Sequence, residues 1–109
     1  MAKVTVIIVN YNSGAFLKQC LVSLRQSTIP LEIVVIDNGS SDGSADFVSK
    51  ASKESDCQLI RNSTNLGFAV AVNQGVKSTT AEDVLLINPD RIVQPHSVAG
   101  LKLAMQYED

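Results

Sequence analysis

The chain has 109 residues, of which 45% are hydrophobic and 18% charged, with a formal net charge of −2; it has room for one globular domain, 1–109, and is not a disordered segment. Its nine basic residues are scattered and aromatic residues make up only 5%, which leaves no basic, aromatic-interleaved surface for nucleic acid. No run approaches the ~20 apolar residues of a membrane span, and Val4 to Val9 is too short and wrongly flanked for a secretory signal. Cys20 and Cys57 have core-like neighbours and are read as buried free thiols of a reducing cytoplasm rather than a disulfide.

Val4-Thr5-Val6-Ile7-Ile8-Val9 shows no in/out alternation and predicts a first strand buried on both faces. It stops at Asn10-Tyr11-Asn12-Ser13-Gly14, a cluster with strong turn preference. Phe16, Leu17, Cys20, Leu21 and Leu24 then fall at helical spacing, with Asn12 or Ser13 as the expected N-cap. Pro30 closes that connection, and Leu31 to Ile36 predicts the second strand, ending in Asp37-Asn38-Gly39-Ser40-Ser41-Asp42-Gly43-Ser44. Gly39 and Gly43 are expected at positive φ. Ser41 or Asp42 is expected to cap a short helix that turns Phe47, Val48 and Ala51 inward.

Cys57 to Ile60 is a weaker third strand, closed by Arg61-Asn62-Ser63-Thr64-Asn65. Gly67 to Val76 predicts a third helix with Phe68, Ala71, Val72 and Gly75 near one stripe. Asp83 to Asn88 reads as a fourth strand, again apolar throughout its middle. Pro89-Asp90-Arg91 turns the chain, and Pro95 is expected as the first residue of a last helix, Pro95 to Tyr107, carrying Val98, Leu101 and Met105. His96 is expected to face solvent.

This β-α-β-α-β-α-β-α alternation, with right-handed crossovers, predicts an α/β fold of three layers, α/β/α, around a mainly parallel sheet. The commonest order for such a start is 3-2-1-4, which puts the switch in winding direction between strands 1 and 4. Three polar loops then converge at the ligand end of the sheet: Asn10-Tyr11-Asn12, Asp37-Asn38-Gly39 and Asn88-Pro89-Asp90. Together they supply an aromatic face for a base, an acceptor in Asp37 and a carboxylate in Asp90 for a divalent cation, the parts that hold a nucleoside diphosphate. No GxGxxG follows strand 1, so dinucleotide binding of the usual kind is disfavoured. Plainer roles stay open at this point: Tyr11 packing on a helix, Asp37 capping the next turn, and Asn88-Pro89-Asp90 serving as a turn. Asn65 and Asn73 read as turn and helix anchors.

Val9-Asn10-Tyr11-Asn12, Val34 to Ser44, Asn65-Leu66-Gly67-Phe68-Ala69 with Asn73 and Gly75, and Leu86-Ile87-Asn88-Pro89-Asp90 resemble family 2 glycosyltransferases in order and spacing. The resemblance covers nearly the whole chain. It implies the Rossmann-like, N-terminal nucleotide-sugar-binding half of a GT-A fold, from inverting enzymes. By that resemblance Val9, Asn10, Tyr11, Asp37, Asn38 and Asn88 contact the nucleotide of a UDP- or dTDP-linked sugar. Asp90 becomes the protein ligand of Mg2+ or Mn2+ bound together with the nucleotide. The Asn-Pro-Asp variant is similar to the rhamnosyl and galactofuranosyl branch, which implies a glycan or lipid-linked acceptor, polysaccharide biosynthesis, and a cytoplasmic place peripheral to the inner face of the membrane.

Three positions depart from the family pattern. Asn88 replaces the first acid of Asp-x-Asp, Val72 stands where many members carry a basic residue, and Arg91 stands where a small polar residue is more usual. The catalytic base and acceptor half are expected beyond the C-terminus, so no catalytic residue is assigned and transfer by this chain alone is not expected. The alternative function is a non-catalytic nucleotide-binding or interaction module. A phospho-accepting receiver is disfavoured, because strand 1 ends in Asn-Tyr-Asn and not in an acidic pair. Strand 4 is expected as an exposed edge, favouring a homodimer or oligomer.

Overall fold

A computed structural model describes the backbone of residues 4–51 and 57–106, and side chains over 4–50 and 57–102. The elements are β1 (Val4–Asn10), α1 (Ala15–Leu24), β2 (Leu31–Asn38), α2 (Ser44–Ala51), β3 (Cys57–Asn62), α3 (Phe68–Lys77), β4 (Asp83–Leu86) and α4 (Ser97–Gln106). All pairings are parallel and the strand order is β3-β2-β1-β4, as the alternation of elements predicts.

Side chains two apart on a strand share a face, and the two faces of this sheet carry different helices. Val6, Ile8, Ile33 and Val35 pack with Leu17, Cys20, Leu21 and Leu24 of α1 and Val48 of α2. Ile7, Val34 and Ile36 turn the other way and pack with Ala71 of α3. Right-handed crossovers require this: the chain winds one way from β1 to β3, then passes over the opposite face to reach β4. Each of the fully buried aliphatic side chains stabilises the fold by roughly 1.5–3 kcal/mol, which is why the β-branched runs of β1 and β2 form its centre. Both cysteines are buried free thiols, as expected.

α3 lies close to the sheet because Gly75 has no side chain. A Cβ there would stand 2.9 Å from Ile36 Cδ1 and 3.0 Å from Ile7 Cδ1 and Cγ2. Gly75→Ala is therefore expected to lose roughly 1 kcal/mol, overpacking of ~1–3 kcal/mol outweighing the gain in helix propensity of about 1 kcal/mol. Gly100 of α4 meets nothing within 4 Å, so Gly100→Ala is expected to gain up to about 1 kcal/mol. Urea midpoints that move in the same direction for both substitutions would contradict this account.

The structure corrects several boundaries. α1 starts at Ala15 behind Gly14, with no side-chain cap, while Asn12, expected as a cap, takes a φ of 51° and bonds to the β2–α2 loop instead. Phe16 and Phe68, placed near the apolar stripes of their helices, are exposed; the buried stripes run through Leu17, Cys20, Leu21 and Leu24 and through Ala71 and Gly75. β3 runs two residues longer than predicted, to Asn62, and β4 is shorter, ending at Leu86. β4 lies at the edge of the sheet, paired only with β1, as the 3-2-1-4 order predicts, and its Val84 and Leu86 are exposed. The last helix begins at Ser97, after a turn in which the Pro95 carbonyl accepts from Thr28 N–H at 2.9 Å. His96 is exposed and Val98 buried, as expected, but Leu101 is exposed. The placements expected of the Ala51 and Met105 side chains, and the helix end expected at Tyr107, lie outside the described residues.

Candidate functional site

Four parallel strands deliver their carboxyl ends to one rim, and β1, between β2 and β4, is where the winding direction changes. Along that rim Asn10 stands opposite Asp37 in the β1–β2 register. On the other side Ile7 pairs with Leu86, and the ladder continues one bond further, from Ile87 N–H to Ile7 O at 3.1 Å. The Asn88-Pro89-Asp90 loop therefore leaves the sheet beside the end of β1. Tyr11, Asp37 and Asp90 are brought to one rim.

On the α1/α2 side the rim is built on a buried polar network. Asn10 Nδ2 donates to Asp37 Oδ1 at 2.9 Å, and lies 2.9 Å from Ser44 Oγ and 3.2 Å from Ser40 Oγ. Asp37 Oδ2 accepts from Ser40 N–H at 3.1 Å. Both residues are buried, Asp37 being only 1% exposed. Asn10 Oδ1 is buried with no hydrogen-bond partner among the described residues, an acceptor of the kind that a ligand donor or an ordered water completes. Above this network Tyr11 is 52% exposed.

The β1–α1 and β2–α2 loops are laced together. Asn12 N–H donates to Ser40 Oγ at 2.9 Å, Ser41 N–H to Asn12 Oδ1 at 2.8 Å, and Gly14 N–H to Asp42 Oδ2 at 2.8 Å. Asp42 also caps the start of α2 by accepting from Ser44 N–H at 2.9 Å, the capping role expected of it. Hydrogen bonds from the Ser44 hydroxyl, then from its N–H, hold the Asp42 carboxyl below its usual range.

On the α3 side Val9 is half-buried against Ile7, Val34 and Ile36. Asn38 is buried and acts as a latch: its Oδ1 accepts from Asn62 Nδ2 at 3.0 Å and Leu66 N–H at 3.2 Å, and its Nδ2 donates to Gly67 O at 3.1 Å. Asn62 and Gln74 exchange two side-chain bonds, at 2.8 and 2.9 Å, and tie β3 to α3. Asn65 Oδ1 accepts from Gly67 N–H, the turn role expected of it.

Asn88 and Asp90 are exposed at the third loop. The Asn88 carbonyl accepts from Arg91 N–H at 3.2 Å and faces Cys20 Sγ at 3.8 Å. Burial first, and the Asp90 charge second, push the Cys20 thiol from 9.0 up to about 11. The thiol thus stays neutral in the fold while an unfolded chain ionises near 9.0, so stability is expected to hold below that pH and to fall as pH rises toward 11. Urea midpoints across this alkaline range test it, and Cys20→Ser should flatten the fall. Cys57 is raised by burial as well.

Among the described residues no group of three or more His, Cys, Asp or Glu forms a metal cluster. A single exposed carboxylate fits a Mg2+ or Mn2+ that takes most of its oxygens from phosphates and water, and does not fit an all-protein cage.

The polar residues not foreseen as site-builders are Ser40, Ser44, Asn62 and Gln74. For Ser40 a signal was available, since an Asp side chain at a strand end commonly accepts from the backbone N–H a few residues on.

The model of the family described as glycosyl transferase family 2 matches residues 5–109. YibD, an uncharacterized glycosyltransferase of Escherichia coli (strain K12), is 32% identical over 108 residues, which is 98% of this chain and 31% of YibD. TarS 1–349 of S. aureus, solved in complex with UDP-GlcNAc, has a TM-score of 0.84 at 25% identity over 95% of this chain and 31% of its own. The mannosyltransferase PcManGT of Pyrobaculum calidifontis, solved in complex with GDP-Man and Mn2+, has a TM-score of 0.76 at 28% identity over 82% of this chain and 28% of its own. The chain spans about a third of the length of the curated relatives it matches.

Proposed function

Because the chain belongs to glycosyl transferase family 2, we propose that it binds the nucleotide of an activated sugar at the β1–β4 switch point, as the donor half of an inverting transferase. The observation that carries this reading is the Asn10–Asp37 bond of 2.9 Å beneath the exposed Tyr11, on the rim that Asp90 shares. The binding of UDP-GlcNAc by TarS, and of GDP-Man with Mn2+ by PcManGT, supports it. Tyr11 covers the base. Asp37, its carboxylate held by Asn10 and the Ser40 N–H, accepts from a base N–H or a ribose hydroxyl, and Asn10 Oδ1 is the acceptor beside it. Val9 and Asn38 form the floor toward α3, and Asn88 lies by the phosphates.

In this reading Asp90 holds a Mg2+ or Mn2+ that arrives with the nucleotide. When bound, that ion offsets the charge of the leaving diphosphate. We assign no catalytic base to these residues. The donor is a UDP- or dTDP-sugar, the acceptor a glycan or lipid-linked glycan of polysaccharide biosynthesis, and the setting cytoplasmic, peripheral to the membrane. No helix among the described residues is long and apolar enough to cross a membrane. The exposed β4 edge is the surface for the proposed homodimer or oligomer.

Calorimetry with UDP and dTDP, with and without Mn2+, tests the proposal: one of them is expected to bind, more tightly with the metal. Absence of binding by both at millimolar concentration overturns it. Asn88 in place of an acid favours a second reading, a nucleotide-binding module without transfer. Donor hydrolysis at a rate above buffer alone would exclude that module.

A further inference from the structure

The loops at the carboxyl ends of the strands run over 11–14, 39–43, 63–67 and 87–96, and among them Arg91 is the one lysine or arginine. The same end of the molecule carries Asp37, Asp42 and Asp90, so a multiply anionic ligand meets very little positive charge there. Two further cations on the α1/α2 side are engaged elsewhere: Arg61 pairs with Asp46 at 3.5 Å and Lys18 lies 5.3 Å from the Phe47 ring centre. Arg91 is exposed and has no side-chain partner among the described residues.

Its position is set by the backbone. The bond from Arg91 N–H to Asn88 O closes a turn directly past Asp90. Cys20 of α1 touches this loop on the β1 side, through the Asn88 carbonyl. Arg91 and Asn88 line a groove of about 390 Å³ between β4 and α4, with Leu86, Ile92 and Leu101 in its walls. Across the rim the order is thus Asp37 on β2, Tyr11 after β1, Asp90 after β4, and Arg91 in the groove beyond. A nucleoside diphosphate laid along that line has its base at β2 and β1 and its distal phosphate past β4.

We infer that Arg91 is a diphosphate-binding residue, its guanidinium taking the distal phosphate at the end nearest the sugar. The inference rests on the nucleotide site proposed above. A guanidinium fork matches phosphate oxygens in a bidentate way that a lone carboxylate and its metal do not provide. Here it supplies charge on a loop where Asn88 leaves a metal only one acid.

The test is calorimetry of the 109-residue chain with UMP and UDP, in EDTA and in Mn2+, for the parent, Arg91→Gln and Arg91→Lys. The side chain is exposed and unpartnered, so both variants should keep the parent melting temperature. Arg91→Gln is expected to weaken UDP about tenfold and UMP by no more than about twofold, with Arg91→Lys in between and a larger loss in EDTA than in Mn2+. A parent chain that binds both nucleotides while Arg91→Gln binds UDP equally well, or loses UMP and UDP alike, overturns the inference and leaves the nucleotide site standing. A parent chain that binds neither overturns both.

Discussion

Asp37→Ala is expected to lose about 3 kcal/mol of folding stability and all measurable UDP binding, whereas Asp37→Asn should lose the binding and only about 1 kcal/mol or less of the stability. The two substitutions differ in what they leave behind. Alanine removes both acceptors, strands the part-buried Ser40 N–H and takes one partner from the buried Asn10 Nδ2. Hydrogen bonds to a charged group contribute roughly 1.5–3 kcal/mol each, and here two are lost. Asparagine keeps the shape. Its Oδ1 can still accept from Ser40 N–H, and its amide then faces Asn10, which can turn its own amide over. That turn brings the unpaired Asn10 Oδ1 to the new donor and lets the Ser40 hydroxyl donate to it. The carboxylate, however, is gone, and with it the acceptor for a base or ribose hydrogen. Urea denaturation together with UDP calorimetry separates the two effects. Asp37→Asn binding UDP as the parent does would remove Asp37 from the site.

The sheet was legible in the sequence because its information is local. Runs such as Ile33-Val34-Val35-Ile36 record burial on both faces, and helix-length spacers between them leave few topologies. The edge position of β4 followed from the strand order, but the exposure of Val84 and Leu86 was not legible in Asp83-Val84-Leu85-Leu86, since an apolar side chain does not record whether a helix lies above it. The rim was legible in part. Asp37 and Asp90 announce themselves as acids at strand ends, and their sharing of one rim follows from the strand order. The pairing of Asn10 with Asp37 needed the register, and the Asn38 latch joins residues 24 to 29 positions apart, which no local pattern encodes. Asn12 misled as a cap because the property that favours it there, a short side chain that bonds nearby backbone, equally serves a residue at positive φ that bonds a neighbouring loop.

Gly39→Ala is expected to be the most damaging of the glycine substitutions, losing about 4 kcal/mol, against about 1–2 kcal/mol for Gly43→Ala. The backbone angles are nearly the same, φ 83° at Gly39 and 81° at Gly43, so both alanines carry the strain of a left-handed L-residue. They differ in what the new methyl group meets. At Gly43 the nearest atom is Asp46 Oδ2 at 3.7 Å, an ordinary contact with a movable side chain. At Gly39 it would stand 2.9 Å from Thr64 Cα and C and 3.2 Å from Asn65 N. Those are main-chain atoms of the β3–α3 loop, which cannot retreat without loosening the Asn38 bonds to Leu66 and Gly67. The alternative is for the β2–α2 loop to move, and that loop carries Ser40, whose N–H holds Asp37 and whose hydroxyl holds Asn12. Either displacement reaches the rim, so Gly39→Ala should lose UDP binding at temperatures where it is still folded, while Gly43→Ala should retain it. Equal urea midpoints for the two variants would show that main-chain contact at Gly39 is relieved without consequence, and that the two loops are not packed as tightly as these distances require.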